Sequence, residues 1–389
     1  MRRKHYTGRD FRRAITIEDL RRIARRRLPN FNFEYVEGGA EDEVTLRRNR
    51  EVFERITWLP RALVGAGPPD LGTGILGRPA NLPIVIAPTG FNGLYWKQGD
   101  IALAAAAAAA GIPFTLSTAS NCAVGRMAAA VKGNLWYQLY AYKDQKVVDR
   151  LIERVGEAGC EVLVVTADAP VLGAREWDQR NYSEPMKLSL ASKLDVLRHP
   201  GWLARIMFPS GAPTFENLTE FLPPGKYSAL IGAKYSFSQI NSRLSWHDIE
   251  RIRGRWPGKL VVKGLLCIED ARRSVEAGVD GIVLSNHGGR QLDSCVSGVE
   301  LLPAVSSELG DRLTVLVDGG FRRGADVLKA VALGAHGVMI GRATLYGLAA
   351  GGEAGASHAI GILRTEMERA MLLLGCGSVA ELGRHLIRS

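Results

Sequence analysis

The sequence has few cysteines, no long apolar run and little acidic charge near its N-terminus. Five cysteines are scattered over 389 residues without the spacing of metal ligands, which indicates a reducing compartment and gives no disulfide framework. The most apolar stretch, residues 101–116, is mostly alanine and is broken by Gly111 and Pro113, so we expect a helix and a strand there rather than a membrane span. The charged N-terminus is followed by no apolar segment, and no signal peptide is predicted.

Positive charge is concentrated at the N-terminus. The formal net charge is +10, and residues 1–30 hold eleven Lys or Arg against three Asp or Glu, which leaves only +2 for the rest of the chain. Such a stretch is typical of a solvated helix face or of a contact with an anionic membrane. Without interleaved aromatic residues or a binding motif, no nucleic-acid partner is expected. Residues 17–27 are predicted to form a helix capped by Thr16, with Pro29 beyond its end.

From residue 81 onward, short apolar runs alternate with longer helical patterns. Buried strands that alternate with helices are typical of a parallel sheet, and eight such units predict an α/β fold, a (β/α)8 TIM barrel. We expect one domain over residues 1–389, with a helical segment before the barrel. The predicted strands are 83–87, 113–117, 135–139, 162–166, 260–263, 281–285, 313–318 and 337–341.

One connection of this barrel is much longer than the others. The ends of strands four and five, Thr166 and Lys263, are 97 residues apart, whereas the other steps are 21 to 33 residues. The spacing predicts an insertion, residues 177–240, on the face where such barrels keep their active sites. Within it, residues 186–211 are apolar and basic and include Trp202. Both an interfacial membrane contact and an active-site lid would cover such a surface, and the sequence leaves both open.

Residues 285–293, Ser-Asn-His-Gly-Gly-Arg-Gln-Leu-Asp, place a base and a cation together at the end of the sixth strand. Two glycines separate His287 from Arg290 and let the backbone turn and a ligand approach closely. Neutral imidazole accepts a proton near pH 7, and guanidinium holds a carboxylate by two hydrogen bonds. The pair indicates chemistry on an organic acid, although a loop with two exposed polar side chains would read the same in isolation.

Two later loops have the composition of the phosphate site that barrels build after strands seven and eight. Residues 318–324 read Asp-Gly-Gly-Phe-Arg-Arg-Gly, and residues 340–342 read Ile-Gly-Arg. Glycine amides and a helix N-terminus cradle an anion, and arginine in both loops adds charge that tight turns alone do not explain. Lys263, a cation at the end of strand five, needs an anionic or electron-rich partner.

These motifs resemble those of the FMN-dependent L-2-hydroxy acid dehydrogenases and oxidases, a family that includes glycolate oxidase, L-lactate dehydrogenase and mandelate dehydrogenase. The resemblance runs from about Leu28 to the C-terminus, and residues 285–291 are the family's active-site signature. Residues 116–121 and 341–349 are most similar to the mandelate dehydrogenase branch, with bacterial L-lactate dehydrogenase next. The other matching motifs start at Tyr35 (Tyr-x-x-Gly-Gly-Ala) or lie at 87–89, 116–118, 138–140, 166–168, 173–176 and 262–264.

The resemblance implies FMN as cofactor and no metal. Loops 318–322 and 341–342 would hold its phosphate, and Lys263 would stabilise the negative charge of the reduced flavin. The implied cofactor-binding residues are Ala87, Pro88, Thr89, Ser117, Gln138, Thr166, Lys263, Ser285, Asp318, Gly319, Gly320, Arg322, Gly341 and Arg342.

The resemblance also implies the substrate-binding and catalytic residues. Arg175 and Arg290 would clamp the substrate carboxylate with Tyr35, and Tyr140 would bond to the 2-oxygen, which selects the L or S enantiomer. His287 would be the base, with Asp168 pairing with its imidazolium form. Two routes stay open: His287 removes the Cα proton to give a carbanion, or it removes the hydroxyl proton while hydride passes to the flavin.

Substrate and partners follow from the same resemblance. Ala119 stands where the glycolate oxidase branch has tryptophan, which favours a larger substrate, mandelate-like aryl acids first and L-lactate second. Electrons would pass to a quinone of the respiratory chain, with an oxygen-using oxidase as the alternative. A peptide-modifying flavoenzyme on this scaffold would have Arg290 replaced, and Arg290 is present. We expect a homotetramer, peripheral on the cytoplasmic side of the inner membrane.

Overall fold

The computed structural model describes residues 5–65, 67–184, 187–208, 211–225 and 227–388. Eight parallel strands form a closed barrel in which each strand pairs with the next in the chain and the last pairs with the first, which confirms the predicted fold. The insertion leaves strands four and five as neighbours, in register from Val162 opposite Lys259 to Thr166 opposite Lys263. The strands are β1 (Ile84–Ile86), β2 (Phe114–Ser117), β3 (Leu135–Leu139), β4 (Val162–Thr166), β5 (Lys259–Leu265), β6 (Gly281–Leu284), β7 (Thr314–Asp318) and β8 (Gly337–Ile340).

Among the described residues, three α-helices precede the barrel, and at least one α-helix follows each strand. The first begins as predicted, because the Thr16 side chain accepts a hydrogen bond from the Asp19 amide. In the described part of the chain, no helix combines the length and the apolar character needed to cross a bilayer. The helices are α1 (Ile17–Arg27), α2 (Asn30–Glu37), α3 (Val44–Arg55), α4 (Gly99–Ala110), α5 (Val124–Ala130), α6 (Gln145–Glu157), α7 (Glu176–Gln179), α8 (Leu190–Leu197), α9 (Pro200–Ile206), α10 (Ala229–Gln239), α11 (Trp246–Arg255), α12 (Ile268–Glu276), α13 (Gly298–Leu309), α14 (Gly324–Ala332) and α15 (Arg342–Leu374), the last kinked at Gly351 and Gly352.

The barrel wall separates two apolar layers. In β1, Ile84 and Ile86 belong to the outer layer under the helices, whereas Val85 belongs to the inner cluster with Trp136. A hairpin of Thr73–Ile75 with Arg78–Ala80 contributes Ile75 and Leu76 to that inner cluster. Gly281 and Gly337, the first residues of β6 and β8, lie against these two side chains, so the hairpin closes the N-terminal end of the barrel. The C-terminal mouth is the open end.

The predicted insertion after β4 is folded. Residues Met186, Pro209 and Ser210 of the predicted apolar and basic segment lie outside the described residues. In α9, Trp202 and Ile206 are buried, whereas α8 and Phe208, the second residue after α9, leave apolar side chains exposed. Helix α9 therefore lies against the cavity, whereas α8 presents an apolar row to solvent; the lid and the membrane contact both stay predictions. The exposed side chains are Leu190 (74%), Leu194 (51%), Leu197 (65%) and Phe208 (78%).

Candidate active site

A cavity of about 1070 Å³ opens at the C-terminal ends of the barrel strands. Its walls are built from residues in or just after the C-terminal ends of all eight strands, from α2 and from the insertion. Eighteen of the twenty predicted site residues line it, and Asp168 and Ser285 lie behind the lining. The lining members of the predicted set are Tyr35, Ala87, Pro88, Thr89, Ser117, Gln138, Tyr140, Thr166, Arg175, Lys263, His287, Arg290, Asp318, Gly319, Gly320, Arg322, Gly341 and Arg342.

His287 is held in a fixed orientation after β6. Its backbone is left-handed, with φ of 57°, a conformation that is uncommon outside glycine and is maintained only by its surroundings. The Ser285 hydroxyl accepts a hydrogen bond from the His287 amide at 3.0 Å. On the ring, Nδ1 lies 2.8 Å from Asp168 Oδ1. With its proton on Nδ1, donated to the carboxylate, the neutral imidazole keeps a lone pair on Nε2 that can accept a proton.

Asp168 is placed by the loop after β4 and by the glycine after Lys263. Gly264 has φ of 107°, and a Cβ there would lie 2.6 Å from the Asp168 side chain, so only glycine leaves room for the carboxylate. Burial alone would raise the pKa of Asp168, but the charges of His287 and Lys263 and the bond from His287 hold it below its ordinary value. Asp168 is therefore ionised at neutral pH, where its negative charge can stabilise protonated His287.

Two arginines meet beside the imidazole. Arg290 Nη1 donates to the Gly38 carbonyl at 2.8 Å, and its guanidinium lies 5.2 Å from the Tyr35 ring centroid. Arg175 Nε donates to the Arg290 carbonyl at 3.2 Å. Burial and the neighbouring Arg290 charge lower the pKa of Arg175 to about 10. Within the described residues, neither guanidinium has a carboxylate within 4.0 Å, so the two cations form an anion site with unused donors.

Tyr140 completes the polar side of this region. Burial, followed by the nearby Asp168 charge, raises the pKa of its hydroxyl to about 12, so the phenol stays protonated at neutral pH. Its ring stacks on Tyr142, with centroids 6.4 Å apart and planes at 28°. The Tyr142 hydroxyl is 2.7 Å from Ser236 Oγ in α10, so the insertion helps to fix this wall. Tyr140 is thus a neutral donor facing the cavity.

A polar ladder crosses three neighbouring strand ends. The Ser117 hydroxyl donates to Gln138 Oε1 at 2.8 Å, and Gln138 Nε2 donates to Thr166 Oγ1 at 3.0 Å. All three side chains are buried and line the cavity. The Thr166 hydroxyl proton and the second proton of the Gln138 amide remain available, so the ladder offers donors to the carbonyl edge of a planar heterocycle.

Lys263 and Asp318 form a buried ion pair across the barrel. Lys263 Nζ lies 2.7 Å from Asp318 Oδ2 and donates to Ser285 Oγ at 2.7 Å. Burial alone would lower the pKa of Lys263, but the Asp318 and Asp168 charges raise it above its ordinary value. The ammonium therefore stays charged. Ser285 Oγ is fully buried and accepts from both Lys263 and the His287 amide, which leaves its hydroxyl proton to donate; its predicted flavin contact stays a prediction.

Two glycines of the first predicted phosphate loop have a left-handed backbone. Gly319 and Gly320 have φ of 99° and 83°, and a Cβ on Gly320 would lie 1.9 Å from the Asn49 carbonyl oxygen. Arg322 lines the cavity and donates to the Tyr346 hydroxyl at 3.3 Å. Arg342 also lines the cavity. Each of its three guanidinium nitrogens donates to a backbone carbonyl, of Val36, Gly38 or Gly288, so that Arg342 holds α2 against the His287 loop.

These residues fit the predicted FMN. Asp318 Oδ1 is a buried acceptor with no hydrogen-bond partner among the described residues, as a carboxylate facing a ribityl hydroxyl would be. The glycine loop and Arg322 suit a phosphate, and the ladder of Ser117, Gln138 and Thr166 suits the polar edge of the ring. Lys263 supplies the cation that a reduced flavin requires.

Three supporting residues were not predicted. Asn49 in α3 and Asn286 exchange two side-chain hydrogen bonds of 2.8 Å, which tie the N-terminal segment to the His287 loop. Gln291 donates to the Asp168 carbonyl at 2.8 Å and accepts from Arg175 at 3.2 Å. Asn286 and Gln291 lie within the active-site signature, residues 285–291, so the sequence did contain a signal that could have identified them. Asn49 has none, because its partner is 237 residues away.

Comparison with known proteins identifies the family. The model of the FMN-dependent dehydrogenase family matches residues 24–389. The chain is 46% identical to a putative L-lactate dehydrogenase of Mycobacterium tuberculosis over 96% of this chain and 89% of that protein. It is 41% identical to the (S)-mandelate dehydrogenase of Pseudomonas putida over 96% of this chain and 94% of that protein. The crystal structure of the monotopic membrane protein (S)-mandelate dehydrogenase superposes with a TM-score of 0.92, at 40% identity, over 97% of this chain and 99% of that one.

The match covers both phosphate loops, the His287 signature and all eight strands, and it confirms the resemblance drawn from the motifs. The chain belongs to the FMN-dependent dehydrogenase family, is an oxidoreductase of the L-2-hydroxy acid dehydrogenase type, and has FMN as its cofactor.

Proposed function

We propose that this protein oxidises an L-(S-)2-hydroxy acid to the 2-oxo acid, with mandelate-like aryl acids preferred and L-lactate next. The observation that carries the proposal is the juxtaposition of His287, oriented by Asp168, with two guanidinium groups that have no acidic partner in the described part of the chain. A base next to a carboxylate site is what proton removal from a 2-hydroxy acid requires.

Each side chain has a role that follows from its bonds. Arg175 and Arg290 bind the substrate carboxylate, with the Tyr35 hydroxyl as a further donor. Tyr140 donates to the 2-oxygen, since its phenol is protonated at neutral pH. His287 takes the substrate proton at Nε2, because Nδ1 is engaged by Asp168. FMN supplies the two-electron acceptor for the oxidation.

The preference for aryl acids is supported by the wall around Ala119. This residue lines the cavity together with Gly90, Phe91 and Phe215. The Phe91 and Phe215 rings are 4.3 Å apart and Phe91 packs edge-on against Tyr35 at 5.6 Å. A wall of small and aromatic side chains beside the carboxylate site suits a ring on the substrate Cα.

Transfer of electrons to a respiratory quinone is supported by the lining of the cavity. This lining includes the apolar side chains Trp202, Leu203 and Met207 of the insertion. We propose that α8, with its exposed leucines, lies on the cytoplasmic surface of the inner membrane, and that the protein assembles as a homotetramer. Replacing residues 186–211 by a short loop should then release the protein from membranes at high salt, without loss of flavin.

Anaerobic bleaching of the flavin absorbance tests the proposal. The purified protein is mixed with glycolate, L-lactate, (S)-mandelate and (R)-mandelate, and the rate of bleaching is followed. (S)-mandelate should bleach the flavin fastest, L-lactate next, and (R)-mandelate not at all. Absence of bleaching by all four acids would refute the proposal. If a soluble quinone reoxidises the reduced flavin and oxygen does so only slowly, the protein is a dehydrogenase. Fast reoxidation of the flavin by oxygen supports the oxidase alternative.

A further inference from the structure

Arginines from the N-terminal segment, from α1 and from the insertion form one basic surface. We define it as Arg9, Arg25, Arg26, Arg27 and Arg205. Arg27 donates to the Arg9 carbonyl at 3.1 Å. Burial, followed by the charges of Arg205 and Arg9, lowers the pKa of Arg27, so these three cations share one electrostatic field. The end of α1 and helix α9 of the insertion are therefore neighbours in the folded chain.

The basic surface includes a concavity. A pocket of about 470 Å³ lies between residues 5–7 and α1, with Phe33 in its wall. Of its arginines, Arg21 and Arg22 are paired with Glu18 at 3.2 Å. The exposed Arg25 and Arg26 have no carboxylate within 4.0 Å in the described part of the chain. Their charge is available to an external anion.

The basic surface borders the exposed apolar row of α8. Arg25 Nη2 donates to the Asn30 side-chain oxygen at 2.9 Å, and the Asn30 amide donates to Asp195 Oδ2 in α8 at 2.6 Å. On α8, exposed Leu190, Leu194 and Leu197 are spaced so that they share one face. Arginines flanking an exposed apolar helix face are typical of proteins that lie at a lipid–water interface.

We propose that the basic surface binds the headgroup phosphates of anionic phospholipids and forms an electrostatic contact separate from the apolar contact of α8. This proposal rests on the membrane association proposed above, but it does not depend on which substrate the enzyme oxidises. The expected gain in affinity is about fivefold for each arginine near the bilayer at low ionic strength. Salt should weaken this gain, because screening shortens the reach of the charges.

Vesicle sedimentation of the full-length holoprotein tests the proposal. Vesicles of phosphatidylcholine alone and of phosphatidylcholine with phosphatidylglycerol are compared at low and high salt. The protein should bind the anionic vesicles at least tenfold more tightly at low salt and lose most of this preference at high salt. The double variant Arg25→Glu with Arg26→Glu should lose the preference while keeping flavin absorbance and affinity for neutral vesicles.

Two further variants separate the contacts. Arg312→Glu with Arg369→Glu makes the same change in net charge at exposed positions away from the basic surface, and it should keep most of the preference. The protein with residues 186–211 replaced also lacks Arg205. It should lose binding to neutral vesicles yet still bind anionic vesicles at low salt through the arginines of the N-terminal segment and α1. Equal preference in the Arg25/Arg26 variant and in the parent would overturn the proposal. The proposal would also be overturned if Arg25 and Arg26 were required for binding to a DNA duplex and the protein did not bind anionic vesicles.

Discussion

Asp168 and His287, which are 119 residues apart in the sequence, meet with Oδ1 and Nδ1 separated by 2.8 Å. One follows β4 and the other follows β6, so the barrel wall itself brings them together. Lys263 lies near the C-terminal end of β5, on the barrel wall between them, and its charge also holds the pKa of Asp168 down. The arrangement stabilises the imidazolium that forms when His287 accepts a proton, and it leaves only Nε2 for the substrate.

Removing the imidazole should separate cofactor binding from chemistry. In His287→Ala, FMN should stay bound, because His287 is not one of the residues proposed to hold FMN. Bleaching by (S)-mandelate should slow by about 10²-fold or more, the usual contribution of a positioned base. Stopped-flow absorbance measures the rate. His247→Ala, at an exposed position, serves as the control and should bleach like the parent. Bleaching at the parental rate in His287→Ala would remove this residue from the role of base.

Arg290→Lys should weaken binding of the acid while keeping the positive charge. Lysine lacks the planar fork that forms two hydrogen bonds with one carboxylate, and it cannot keep both the bond to the Gly38 carbonyl and a paired contact with the substrate. We expect the dissociation constant of the 2-oxo acid product to rise roughly tenfold or more. Titration of the oxidised flavin spectrum with benzoylformate measures it. An unchanged dissociation constant would contradict the clamp.

Ala119→Trp should narrow the site. A Cβ added at Gly90 would already lie 3.3 Å from the Ala119 Cβ, so an indole at position 119 has to enter the space next to the carboxylate site. The ratio of kcat/KM for (S)-mandelate to that for glycolate should fall at least tenfold. Ala119→Val should give a smaller fall, and the flavin content of both variants reports whether they fold. A constant ratio would show that the aryl group lies elsewhere.

The strands and most of the site could be predicted because they leave local signals. Strand 135–139 is apolar except for Gln138, strand 162–166 is apolar up to Thr166, and the structure has both with the predicted bounds, Leu135–Leu139 and Val162–Thr166. Catalytic and phosphate-binding residues sit where those runs end in polar or glycine residues. The orientation of Ser285 towards Lys263 could not be predicted, because a serine after a strand has two neighbours that it can bond and the sequence does not rank them.

Long-range polar contacts left no comparable signal. Asn217 is fully buried, and its side chain bonds to the Val124 amide and to Ser120 and Cys122 after β2, so it fastens the returning limb of the insertion to the barrel. Asparagine in a loop is ordinarily a turn residue. Its role follows only from the fold, which brings the two segments together.

A buried carboxyl group at the start of α4 makes stability depend on pH. Asp100 accepts hydrogen bonds from Asn92 Nδ2 at 2.7 Å and from the Asn121 amide at 2.8 Å. Burial raises its pKa from 3.8 to about 7. Between these values the folded chain holds a proton that the unfolded chain has released, so stability present at low pH is lost as the pH rises through this range.

The variant Asp100→Asn cannot titrate and should flatten this dependence. The wild-type contribution between about pH 4 and pH 7 is on the order of 4 kcal/mol. Thermal midpoints of the holoprotein at about pH 5 and about pH 8 should therefore differ more in the parent than in Asp100→Asn, by several degrees. The asparagine protein can be less stable at both values, since its amide faces the Asn121 N–H, so the difference between the two pH values is the quantity to compare. Equal differences in the two proteins would mean that Asp100 stays ionised in the fold, and that the bonds from Asn92 and Asn121 outweigh its burial.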